Sequence, residues 1–211
     1  MQKSMMQRLA ISFLLGVFVV SCGSNPMKEF TKTAVERTII SPPYFSDSNV
    51  DYVYKSNISV YGNELSGIFI IKKITENTHR VVFTTEFGNK LLDFEVSEND
   101  FKINSIVDEL DRKILINTLK EDFRLLLREK FKIDGQFEST ADKIYASADH
   151  KRYNYLYVSK KDNKLYKVGH ASKRKEKFSI TFNSENNIFA DRIVIDHQNI
   201  KLKIELNYFK N

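Results

Sequence analysis

Few residues in this 211-residue chain are equipped for covalent or metal chemistry. There is one cysteine, Cys22, and it closes an apolar run, "FLLGVFVVSC". The four histidines, His79, His150, His170 and His197, are scattered, and none stands three or four residues from another as paired metal ligands on a helix would. They are expected in turns or at strand ends. The sequence contains no GxSxG, HExxH, GxxxxGK or CxxC pattern. The expectation is therefore a non-enzymatic protein that needs no metal or cofactor. Two further clusters stand out. The basic loop "SKRKEK", residues 172–177, suits phosphate-bearing head groups or a solvated hairpin tip. Tyr153, Tyr155 and Tyr157 of "RYNYLYV" share one face of a strand, as a binding surface or as a half-buried sheet face.

The cysteine has a context. Lys3 and Arg8 precede an apolar segment at residues 9–20, about the length of a signal-peptide core and short of the ~20 residues that span a bilayer. "VVSC", residues 19–22, then places a small side chain directly before the thiol. This resembles the lipobox of bacterial lipoproteins, with Val19 where Leu is commonest. The resemblance implies cleavage before Cys22, diacylglycerol on its thiol and an acylated amine. Two or three acyl chains anchor a protein stably where one does not. Gly23, Ser24, Asn25 and Pro26 carry neither an inner-membrane retention Asp nor acidic surface-export residues. The expected location is the outer membrane, facing the periplasm, where nucleic acid is not a partner. A lone cysteine forms no internal disulfide.

Residues 1–21 then read as a signal peptide and 22–49 as a tether. That tether holds all three prolines and a short helix around residues 28–39. Residues 50–211 read as one domain with a single sizeable core. Without the leader the charge is +4, divided unevenly: −3 over residues 22–140 and +7 over residues 141–211. The basic part suits anionic lipid head groups or ordinary solvated hairpins.

The elements that must position these residues are mostly strands. In "NIKLKIELNYF", Ile200, Leu202, Ile204, Leu206 and Tyr208 alternate with polar residues, which gives a strand one dry and one wet face. Turn signals such as "YGNE", "FGNK" and "SEND" recur about every ten residues. Eleven strands are expected, near residues 51–61, 64–74, 79–87, 90–97, 101–107, 142–148, 151–159, 164–171, 176–183, 188–197 and 199–209. So large an antiparallel sheet must curl or split. Residues 108–131 break the rhythm with helical spacing: Leu115, Ile116, Leu119, Phe123 and Leu126 form one stripe, with Asp108 or Asp111 as the cap. Ile114 and Leu125 widen the apolar face.

A lipoprotein leader, about eleven antiparallel strands and one inserted helix are similar to LolA and LolB, the carriers of bacterial lipoproteins. The resemblance lies in element order, with "LSGIFIIKK" early and "FGNKLLDFEVSENDFKI" just before the helix. It implies a mainly β fold, an incomplete barrel with a lid helix, enclosing an apolar cavity for acyl chains of lipid or lipidated protein. Phe69, Ile71, Phe83, Leu92 and Phe94 would line that cavity from the sheet, and Leu119 and Phe123 from the helix; taken singly, each is more often ordinary core. The alternative is a filled barrel serving as a scaffold for another envelope protein.

Overall fold

A computed structural model describes residues 26–172, 175–185 and 189–209. Alternation decides most of it. The last strand, Leu202–Tyr208, buries Leu202, Ile204 and Leu206 and turns Lys203 and Asn207 to water. It is β15 of a chain whose strands run β1 (Thr31–Thr33), β2 (Ile39–Ile40), β3 (Asp51–Val60), β4 (Asn63–Thr75), β5 (Thr78–Thr84), β6 (Lys90–Val96), β7 (Phe101–Ile106), β8 (Phe131–Lys132), β9 (Gly135–Glu138), β10 (Asp142–Asp149), β11 (Arg152–Ser159), β12 (Leu165–Ala171), β13 (Glu176–Asn183) and β14 (Arg192–His197). The one α-helix among the described residues, α1, is Lys113–Leu126.

Thirteen strands form one antiparallel sheet in the order β1-β9-β10-β11-β12-β13-β14-β15-β3-β4-β5-β6-β7, and β2 pairs with β8 apart from it. The sheet does not close: β1 and β7 are its two free edges. All eleven expected strands are present. The turn Tyr61-Gly62, with φ 49° and 87°, joins Val60 to its partner Asn63 as a two-residue hairpin loop. The sheet curls far enough that Phe69, Phe83 and Phe94 on one half share a core with Phe178, Ile180 and Ile195 on the other. That core also contains Leu119 and Phe123 of α1, so the helix lies in the concave face.

Three expectations are corrected. The sheet has thirteen strands because β1 and β9 extend it beyond β10; both are too short for a two-residue period to show in sequence. The helix around residues 28–39 does not form: that stretch holds β1 and β2, which take partners about a hundred residues away. Nor do residues 26–49 hang free as a tether. Met27 is buried on the outer face of the sheet with Ile144, Ala146, Tyr155 and Ala171, and Phe30 packs beside Tyr157. Ile40, Tyr44 and Phe45 join the main core. Met27 and Phe30 thus cover part of the tyrosine face of β11, which is a half-buried sheet face.

The start of α1 also differs. Residues 107–111 form tight turns through Leu110 N–H to Val107 O and Asp111 N–H to Val107 O. The cap position falls to Arg112 in extended conformation, with no side-chain cap bond from Asp108 or Asp111. The chain leaves the helix at Leu127, earlier than the pattern suggests, to pair Phe131 with Ile40.

Candidate functional site

The inner side of α1 meets the sheet through aromatic rings. Phe123 is fully buried, 5.3 Å from the Phe69 ring and 5.2 Å from Phe94, edge-on to the latter. Phe69 in turn stacks on Phe83 at 4.6 Å. The seven residues expected to line a cavity, Phe69, Ile71, Phe83, Leu92, Phe94, Leu119 and Phe123, are brought together, each at most 5% exposed. They belong to one buried cluster, with ring contacts among Phe69, Phe83, Phe94 and Phe123. The widened helix face divides: Leu125 is buried, whereas Ile114 is 74% exposed at the uncapped end.

The same contact holds a carboxyl group. Asp122 is fully buried, and His197 Nε2 lies 3.0 Å from both of its carboxylate oxygens, bonded to Oδ2. Burial raises the Asp122 pKa, and the His197 bond opposes this only in part. Phe178 stacks on the His197 ring at 4.9 Å and tilts against His170 at 5.0 Å on its other side. His170 sits where the β12–β13 register slips between His170 and Ala171, a bulge that redirects the strand. Its Nε2 faces Arg152 Nη1 at 3.1 Å and its Nδ1 faces Asn154 Oδ1 at 2.7 Å. A guanidinium only donates, so Nε2 accepts and Nδ1–H donates to Asn154. Burial, then the Arg152 charge, hold His170 down to about 4, so the ring is neutral at physiological pH. Arg152 also spans to Glu121, one residue before Asp122, at 3.1 Å. Two of the four histidines therefore share one site across Phe178. Among the described residues no group of three or more His, Cys, Asp or Glu is arranged to hold a metal ion.

Beside the C-terminal half of α1 the surface opens into a cleft of about 720 Å³. It is bounded by the β6–β7 turn, the β10–β11 turn and the helix, with Phe123, Phe178 and His170 at its inner side. His79, at the start of β5, also lines it; its Nε2 lies 2.9 Å from the Phe45 carbonyl, and burial lowers its pKa. The outer face of the sheet carries a different network. Asp93 is buried there among Arg80 (2.7 Å), Lys90 (2.9 Å) and Asn104 (3.2 Å), and the Arg80 bond holds its carboxyl well below the usual range.

Cys22 lies outside the described residues, as do Lys173 and Arg174 of the basic loop. No helix among the described residues is long and apolar enough to cross a membrane. Sequence reasoning missed Asp122, His197, His170 and Arg152 as a group. One signal was available: Leu115, Leu119, Asp122 and Leu126 fall at i, i+4, i+7 and i+11, so an acid occupies a core position of the helical stripe.

No family model matches the sequence, and no curated protein does either. Among solved structures, the chain is similar to a LolA superfamily protein from Nitrosomonas europaea, with 11% identity and a TM-score of 0.50 over 79% of this chain and 87% of that one. It is also similar to a DUF1329 family protein from Desulfovibrio piger, with 10% identity and a TM-score of 0.42 over 76% of this chain and 84% of that one. The first likeness agrees with the open antiparallel sheet around a single helix: the fold is LolA-like.

Proposed function

We propose that this chain is a lipid-anchored protein of a bacterial outer membrane, facing the periplasm, whose half-barrel binds or transfers acyl chains of a lipid or of a lipidated protein. Residues 1–21 are its signal peptide, Cys22 carries the lipid, and the chemistry is binding without catalysis. Because Met27 is already buried in the domain, the link from Cys22 to the body is short. At ~3.5 Å per residue, the anchor lies within about 18 Å of Met27. The domain is thus held against the membrane surface.

The observation that carries the acyl reading is the buried carboxylate in the contact between α1 and the sheet. A buried carboxyl group carries a desolvation cost that an apolar side chain in its place would not. Asp122 therefore weakens the closed arrangement at the point where Phe123 covers Phe69 and Phe94. The helix begins without a side-chain cap, with Ile114 in water. Displacing α1 would expose a continuous apolar face to a ligand. The LolA-like fold supports this reading.

A second reading draws on the tight packing of the same seven residues. A permanently filled half-barrel is a scaffold that binds another envelope protein through its surface. Native mass spectrometry on the detergent-purified chain, followed by lipid extraction, separates the two. We expect a stoichiometric acyl ligand on the wild type, reduced in Leu119→Gln and lost in a folded Phe123→Asp variant. A folded wild-type chain that never takes up an acyl probe would leave the scaffold. The mass of the Cys22 peptide tests the anchor: an unmodified thiol on the envelope-purified chain would remove it.

A further inference from the structure

The cleft beside α1 carries a charge imbalance that the acyl reading does not use. Each of its four carboxylates already faces a cation. Glu98 and Asp149 meet Arg128 at 3.2 and 3.7 Å, Glu121 meets Arg152 at 3.1 Å, and Glu129 meets Lys73 at 2.7 Å. Three lining cations are left over: Arg124, Lys130 and Lys151 form no ion pair among the described residues. The two lysines are exposed and by themselves ordinary. Arg124 is not. Its side chain is half-buried, and its Nε is buried without a hydrogen-bond partner. A buried, unpaired donor on a charged group is costly. Its place in the last turn of α1 suits the helix dipole, which favours a cation there but supplies no acceptor for Nε.

We propose that this cleft binds a phosphate-class oxyanion, with Arg124 as its principal ligand and Lys130 and Lys151 closing over it. A tetrahedral dianion accepts several charged donors at once, and a guanidinium presents its donors in a planar fork that matches two of its oxygens. Ser97 and Asn99 on the β6–β7 turn add neutral donors at the rim. The volume of about 720 Å³ admits more than the anion alone, and Phe123 and Phe178 at the inner side suit an apolar continuation. The phosphate is either free or the head group of a lipid.

The test uses the full chain in micelles of a neutral detergent. Inorganic phosphate is titrated by calorimetry. Mixed micelles of phosphatidic acid are then compared with diacylglycerol of the same chains, which differs only in lacking the phosphate. Arg124→Gln is the main variant, because the guanidinium has no hydrogen-bond or ion-pair partner among the described residues; Lys130→Gln with Lys151→Gln is the second. Far-UV circular dichroism and the unfolding midpoint should not change. Saturable binding of inorganic phosphate, weakened at least about tenfold by Arg124→Gln and about threefold by the double variant, establishes the site and a free-phosphate source. No response to inorganic phosphate, but a preference for phosphatidic acid that Arg124→Gln abolishes, establishes the site with a lipid head group. Absence of both, or binding that Arg124→Gln leaves within about twofold, overturns the proposal. Equal uptake of both lipids would do so too, while leaving the acyl reading intact; phosphate binding without acyl uptake would do the reverse.

Discussion

Acid should destabilise this protein through His170. The ring is 6% exposed, and its pKa is held at about 4 by burial and by Arg152, against the ordinary value of 6.5. In the unfolded chain the same imidazole is solvated and takes up its proton near 6.5. Between those limits the unfolded state binds a proton that the folded state refuses, so stability falls as pH drops from 6.5 towards 4. Each pH unit in that window removes up to about 1.4 kcal/mol. The site opens onto the cleft, and Glu121 and Asp149 favour the charged ring, so about 2 kcal/mol is expected by pH 4.5. The assay is urea unfolding of the wild type and His170→Gln at pH 7 and pH 4.5, followed by circular dichroism because the chain has no tryptophan. Glutamine can accept from Arg152 and donate to Asn154 but does not titrate. Other groups titrate alike in both proteins and cancel in the difference. The wild type should lose about 2 kcal/mol more than the variant over this range. Two curves that stay parallel within about 0.5 kcal/mol would refute the burial argument.

Asp122 should act with the opposite slope. Its pKa is raised in the fold, so its contribution is intact at low pH and is lost as pH rises through the folded value. Asp122→Asn keeps a polar group facing His197 that cannot ionise and should be more stable than the wild type at pH 8, the gain shrinking at pH 4; a variant less stable at pH 8, by urea unfolding, would contradict this. Gly67→Ala should cost about 1–3 kcal/mol, because a Cβ there would sit on the Thr84 carbonyl oxygen and the edge of the Phe83 ring. A thermal midpoint equal to that of the wild type would show that the β4–β5 contact yields more easily than its backbone suggests.

Much of the scaffold was legible in advance, because its signals are local. The polar–apolar alternation of β15 and β13, the Tyr61-Gly62 turn and the helical stripe through Leu119 and Phe123 depend on neighbours a few residues away. The seven residues expected to line a cavity fall in one buried cluster for the same reason: each lies on the dry face of its own element. What they do there was not legible. Whether apolar faces enclose a space or fill it depends on how far the sheet curls, and no single strand records that.

Periodicity and short-range chemistry were enough to set the strands, the helix and their apolar faces. The tertiary structure alone decided that β1 and β9 extend the sheet, that residues 26–49 pack on it, and that Asp122, His197 and His170 converge across Phe178. It alone left Arg124 without an ion pair among the described residues, its Nε buried. The physical reason is distance along the chain. Asp122 and His197 are separated by 75 residues, and the burial that raises the Asp122 pKa exists only after the sheet has wrapped around the helix.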